Sequence, residues 1–236
     1  MQNLKYPSYQ ALCEAIAQKI IDCVIQKPNA TLCLTSGSSP EGVFKVLVEK
    51  AQNGLVNFDQ VCFVGLDEWV GISPQNTGSC WYSVNENLFK PLNIKAQNIF
   101  FFDALADNLF AECERIDNQI AKNGGFDLML LGIGLNGHVG MNEPQTPWHL
   151  YSHVIDLHEM TKTVGQKYFE SQTTLNQGIT LGFQYIKEAK AAILMANGYK
   201  KKEVIHLALT GIVSEDFPAS IFQTLPNGFV MTDQLA

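Results

Sequence analysis

The chain has 236 residues, 46% of them hydrophobic and 17% charged, with a formal net charge of −7 at pH 7. That length and composition fit one large domain with a well-buried core. An acidic balance without any dense Lys/Arg block argues against nucleic acid or an anionic membrane surface as the main partner, so an anionic ligand must be held by local groups.

The opening "MQNLKYPSYQ" has no apolar h-region, and no run of about 18 apolar residues follows that could span a bilayer. A cytoplasmic protein is expected. Leu12, Ile16, Ile20 and Val24 recur every four residues, which predicts a helix from about Ser8 to Lys27, stopped by Pro28. "ATLCLT" (30–35) then reads as a short buried strand, "SGSSPEG" as a loop and "VFKVLVEKAQ" (43–52) as a second helix. Further strands are expected at "VCFVGL" (61–66), "NIFFF" (98–102), "DLMLLGI" (127–133), "AAILMA" (191–196) and "GFVMTD" (228–233), with helices over about 107–122 and from about Lys200. The cysteines Cys13, Cys23, Cys33, Cys62, Cys80 and Cys113 form no C-x-x-C pair, and Cys33 and Cys62 lie in apolar runs. They read as reduced, buried thiols.

Apolar strands interleaved with amphipathic helices predict an α/β fold with a mostly parallel sheet covered on both faces. No repeat, low-complexity tract or linker interrupts residues 1–236, so a single domain is the simplest reading. Ligands of such sheets bind beyond the carboxyl ends of the strands. The loops there carry the chemistry.

Four of these loops stand out. "TSGSSPEG" (35–42) offers Ser36, Gly37, Ser38 and Ser39 as donors at a helix start, suited to one phosphate monoester or, equally, to an ordinary turn with Ser39 as N-cap and Pro40 at N1. "GLDEWVG" (65–71) places Asp67 and Glu68 after an apolar strand, where partial burial tunes a carboxyl group for proton transfer, or where an Asp simply supports its own turn. "GIGLNGHVGMNEP" (132–144) begins as G-x-G-x-x-G, but Pro144 and Pro147 forbid the helix that a dinucleotide fingerprint requires. It supplies instead Asn136, His138 and Glu143, a constellation for an oriented proton-shuttling imidazole or for a histidine satisfied within a turn. "NGYKKKE" (197–203) puts Lys200, Lys201 and Lys202 after a strand, as phosphate charge or as a solvated helix face.

Together with "GITLG" (178–182) and "FPAS" (217–220), these stretches resemble, in order and spacing over nearly the whole chain, the hexosamine-6-phosphate deaminase (isomerase) family. The resemblance implies a three-layer Rossmann-like fold. It also implies a small-molecule sugar phosphate as substrate, a ketohexose 6-phosphate and ammonia as products, and neither a metal nor an organic cofactor. Asp67 would be the general base moving a proton between C1 and C2 through an enolamine. His138 would open the pyranose ring, oriented by Glu143 and Asn136. Ser36, Gly37, Ser38, Ser39 and Lys201 would hold the phosphate, with Lys167 nearby. Trp69 in "LDEW", "TGSC" (77–80) and "GITLG" lean towards the galactosamine-6-phosphate branch.

Two positions depart from the common family pattern. Asn136 stands where many members carry Asp, which leaves Glu143 as the main electrostatic support for His138. Lys167 stands where Arg is common, exchanging a bidentate fork for a point charge. The chain also lacks the C-terminal extension of the allosterically regulated hexameric members, so amino-sugar regulation is not expected, while a homo-oligomer remains open. Two rival readings share the fold. 6-Phosphogluconolactonases have a similar phosphate loop, but "DEW" and "NEP" match the deaminases better. A sugar-phosphate sensor would carry an N-terminal helix-turn-helix, for which a first sheet strand near residue 31 leaves no room.

Overall fold

Seven parallel strands form the spine of the computed structural model, which describes residues 1–234. In chain order they are β1 (Gln2–Tyr6), β2 (Thr31–Leu34), β3 (Cys62–Gly65), β5 (Ile99–Phe100), β6 (Leu128–Gly132), β9 (Ala192–Ala196) and β10 (Gly228–Asp233). Across the sheet they run β1-β10-β9-β6-β2-β3-β5. The helices that cover it are α1 (Tyr9–Gln26), α2 (Glu41–Gln52), α3 (Cys80–Val84), α4 (Leu109–Lys122), α5 (Glu159–Gly165), α6 (Phe183–Glu188) and α7 (Lys202–Thr210).

The strand residues alternate between two cores, as a two-residue side-chain period demands. Leu32, Leu34, Phe63, Leu128, Leu130 and Ile193 meet the Leu12, Ile16, Ile20, Phe44 and Leu47 stripes of α1 and α2 on one face. Cys33, Val64, Met129, Leu131 and Leu194 meet Ile116 and Ile120 of α4, Ile186 of α6 and Ile205 of α7 on the other. The expected three-layer α/β sandwich is therefore present. At the lower end of the sheet a buried Asp127 accepts bonds from Lys27 (2.7 Å), Lys190 (2.8 Å) and the Thr31 N–H (2.8 Å). Burial alone would raise the Asp127 pKa, but the two ammonium groups and the N–H hold it below the usual carboxylate value.

A second, antiparallel sheet was not expected. It comprises β4 (Asp67–Trp69), β8 (Gln177–Thr180) and β7 (His153–Asp156) in the order β4-β8-β7. Beneath it, Trp69, Ile72, Cys80, Met141, Leu157 and Leu175 form a small third core.

Three further differences have physical reasons. The first sheet strand is β1, not the segment at residue 31: its Gln2, Asn3 and Lys5 are exposed, and it joins the edge of β10 through main-chain pairing that leaves no apolar signature. Ser39 does not cap α2; the N-cap is Pro40, without a side-chain bond, because the Ser39 hydroxyl donates instead to Asn197 Oδ1 at 2.7 Å. The lysine run opens with a 3₁₀ turn at Tyr199–Lys201, and α7 starts only at Lys202. All six cysteines are free, and four are buried, whereas Cys23 and Cys62 are half-buried.

Candidate active site

The strand order reverses between β2 and β6, which lie side by side while the chain leaves them towards opposite edges. Such a switch point opens a crevice at the carboxyl ends. The loops after β2, β6 and β9 meet there, joined by β4 and by the segment from α5 to Tyr168, around a cleft that Ser36, Asp67, Asn136, His138, Thr161 and Lys201 help to line. Ser36, Gly37, Ser38, Ser39 and Lys167 share the same lining. Glu143 lies just behind it, 3.5 Å from the His138 ring.

The loop after β2 is fixed from several sides. Gly37 adopts φ +97°, where a side chain is strained, and a Cβ would lie 3.2 Å from the Tyr168 hydroxyl. Tyr9 of α1 donates to the Ser39 carbonyl (2.9 Å) and accepts from the Gly42 N–H (3.0 Å). Ser39 reaches Asn197, and the next N–H, that of Gly198, donates to the buried Asp233 carboxylate at the end of β10 (3.1 and 3.2 Å). These bonds tie the serine loop to the lysine turn.

Lys201 itself turns inward, donating to the Ile133 carbonyl. Burial, helped by the charge of Lys167, pushes its pKa down to about 8. Lys167, exposed at the edge of the same cleft, lies over the Tyr168 ring at 4.7 Å. Two cations on one cleft in an acidic chain suit an anion there. Lys202 is exposed.

Asp67 and Glu68, adjacent in sequence, point to opposite sides of β4 and do different things. Glu68 turns away from the cleft and accepts the N–H groups of Trp69, Cys80 and Trp81 at 2.9, 2.9 and 2.8 Å, closing the start of α3. Burial raises its pKa, and those three bonds offset only part of the rise. Asp67 faces the cleft, only 7% exposed, with the Cys80 thiol beside it and the Ser36 hydroxyl against that thiol. Desolvation lifts its pKa to about 7, with a hydrogen bond to Cys80 pulling down and the neighbouring Glu68 charge pushing up. A carboxyl group near neutrality is suited to exchange protons.

The loop after β6 holds the imidazole. No helix follows Gly137 until α5, so the dinucleotide reading fails in the structure as it does in the sequence. Gly134 lets the His138 ring lie flush on the main chain: a Cβ there would stand 2.3 Å from both Cε1 and Nε2. On the far side, His138 Nδ1 meets Thr161 Oγ1 at 3.1 Å and Glu143 Oε2 at 3.5 Å. Asn136 does not touch the ring; its amide donates to Glu143 Oε2 (2.8 Å) and its oxygen accepts the His138 backbone N–H (3.2 Å). Burial would raise the Glu143 pKa, yet His138, Thr161 and Asn136 together bring it down to about 2, so it is a carboxylate throughout the working pH range.

Residues 7–229 match the model of the glucosamine-6-phosphate isomerases/6-phosphogluconolactonase family. The chain belongs to this family. Among its similar members, the glucosamine-6-phosphate deaminase of Lysinibacillus sphaericus is 39% identical over 96% of both chains, and that of Lachnoclostridium phytofermentans is 40% identical over 96% of this chain and 97% of the other. A solved structure of a monomeric glucosamine-6-phosphate deaminase superposes with a TM-score of 0.96 at 33% identity, covering 100% of this chain and 98% of that one. The 6-phosphogluconolactonase of Trypanosoma brucei shares the family's fold, with a TM-score of 0.77 at 20% identity and coverage of 99% and 96%. The predicted residues line or adjoin this one cleft. Thr161, Tyr168, Tyr9 and Asp233 were not anticipated, since a lone Thr, Tyr or Asp on a helix or strand end carries no spacing signal.

Proposed function

We propose that the protein deaminates a 2-amino-2-deoxyhexose 6-phosphate to a ketohexose 6-phosphate and ammonia. The observation that carries this reading is one cleft holding a buried carboxyl group at about pKa 7, a His–Glu pair, the inward-turned Lys201 and the exposed Lys167 at its edge. The names of the relatives support it. In the proposed reaction the phosphate rests on the serine loop between Lys201 and Lys167. His138 gives a proton to the ring oxygen as the bond to C1 breaks and the C1 hydroxyl releases its own proton to water, leaving the open-chain aldehyde, with the Glu143 carboxylate stabilising the charged imidazole. Asp67 then takes the C2 proton while the C1 oxygen regains a proton from water, forming the enolamine, and Asp67 returns its proton to C1. Water adds at C2 of the resulting imine, and ammonia leaves.

The finer proposal is a preference for the galactosamine epimer, resting on Trp69 and Cys80 at the cleft wall, whereas the relatives are named for glucosamine. Ammonia release from each phosphate, followed by competition of the two in one pot, tests both levels. The expected result is release from both, with kcat/KM higher for galactosamine 6-phosphate by roughly 10-fold or more, since a site built for one C4 hydroxyl leaves buried groups unpaired with the other. The reverse preference overturns the epimer assignment alone. No ammonia from either, with hydrolysis of 6-phosphogluconolactone instead, overturns the reaction.

The phosphate assignment predicts an asymmetry between neighbours. Lys201→Ala is expected to raise KM roughly 10–100-fold, the range for a lost bond to a charged group, while Lys202→Ala, on the solvent side, changes it little. Because the Lys201 pKa lies at about 8, KM for the parent should also climb as pH rises through that value and the ammonium is lost. Equal effects of the two substitutions would refute the assignment.

A further inference from the structure

Helix α5 begins and acts at the His138–Glu143 pair. Its first turn is pinned there: the His158 backbone N–H donates to Glu143 Oε1 (3.2 Å), and the His158 side chain caps the helix by accepting from Met160 N–H (3.1 Å). One turn from the cap comes Thr161, only 5% exposed, its hydroxyl 3.1 Å from His138 Nδ1. The direct approach of Glu143 to that nitrogen is longer, at 3.5 Å. The same hydroxyl lies near enough to Glu143 to help hold its carboxyl group below the usual range.

The directions of these bonds follow from chemistry. A carboxylate only accepts, so the Thr161 O–H donates to Glu143. With its proton committed, Thr161 Oγ1 faces His138 as an acceptor, and Nδ1 must carry the hydrogen. Nε2, on the cleft side against Gly134, is thereby left to handle the exchanged proton.

We propose that Thr161 is a positioning residue that bridges His138 to Glu143 and fixes the Nδ1–H tautomer and the plane of the imidazole. The inference deepens the proposed deaminase reading and rests on it for its kinetic arm only. It also links two parts of the site. The chain runs without a break from Thr161 through the end of α5 to Lys167 and Tyr168, so one short segment carries both the group that orients the imidazole and a lysine of the phosphate site.

Thr161→Val keeps the shape and removes the hydroxyl, and Thr161→Ser keeps the hydroxyl. The expected result is a kcat about 10-fold lower in Thr161→Val with KM within about twofold, and near-parental kcat in Thr161→Ser, at matching melting temperatures. An activity-independent arm uses ¹⁵N-labelled protein at alkaline pH, where long-range ¹H–¹⁵N correlations show which ring nitrogen of neutral His138 bears hydrogen. The parent and Thr161→Ser should show Nδ1–H, and Thr161→Val should show a mixture or Nε2–H. An Nε2–H ring in the parent, an unchanged tautomer and kcat in Thr161→Val, or equal impairment of both variants overturns the proposal. Should Thr161→Val not fold, Thr161→Ala takes its place in both arms. A parent that releases no ammonia but shows the predicted tautomers refutes the reaction and leaves the bridge standing.

Discussion

Replacing Asp67 by Asn is expected to lower kcat by roughly 10²–10⁴-fold with KM almost unchanged. In the proposed reaction Asp67 alone faces C1 and C2, and an amide can neither take nor return the proton. Glu68 cannot substitute, because its two oxygens are spent on the N–H groups of Trp69, Cys80 and Trp81. The same substitution should stabilise the fold above neutral pH. The Asp67 pKa is raised from 3.8 to about 7, so between those values the unfolded chain releases a proton that the folded one keeps, and stability falls as pH rises through that window. Asn carries no such cost. Urea melts at pH 8 should therefore favour the variant by on the order of a few kcal/mol, and the gap should close near pH 4, where Asp67 is protonated in the folded protein and half so in the unfolded one. A near-parental kcat, or a variant less stable than the parent at pH 8, contradicts this account.

Gly134→Ala is the second large effect. The added Cβ would fall 2.3 Å from two atoms of the His138 ring, far inside contact distance, while the Gly134 N–H bond to the His138 carbonyl (2.9 Å) holds the two stretches of chain together. The ring must leave its place against Gly134 and lose its fitted contacts with Thr161 and Glu143 on the other side. A displacement of about an ångström at a reacting group costs on the order of 10²-fold, so kcat should drop by that much with the KM set by the phosphate site largely retained. Steady-state kinetics beside a thermal melt separates this from misfolding. A folded variant with kcat within twofold of the parent would mean that the imidazole has no fixed position to lose.

How much of this was legible in the sequence depends on the kind of signal each element leaves. The interior strands of the main sheet and the longer helices announce themselves because burial writes apolar runs such as "DLMLLGI" and four-residue stripes such as Leu12, Ile16, Ile20 and Val24. β1, β4, β7 and β8 do not, because "QNLKY", "DEW", "HVID" and "QGIT" contain no apolar run and pair with segments far away in the chain. The cleft's contributors from strand ends were visible, since Ser36–Ser39, Asp67, Asn136, His138 and Glu143 cluster within short loops. Thr161 and Asp233 were not, because their meaning arises only when α5 and β10 are brought against residues far away in the chain. Ser39 shows the same limit in reverse: its local pattern spells an N-cap, and a long-range bond to Asn197 overrides it.

The edge strand also acts as a strap. Tyr6 pairs beside Asp233 at the last register step between β1 and β10, and the Asp233 carboxylate holds Gly198, the entry to the turn that aims Lys201. Residues that look expendable, the polar and solvent-facing ones of Gln2–Tyr6, are thus linked through β10 and Asp233 to the turn that carries Lys201 into the cleft. Trimming them, or fusing a stiff partner directly to Met1, would reach the cleft by loosening the end of β10, so tags belong on a flexible spacer that lets Gln2–Tyr6 zip into place.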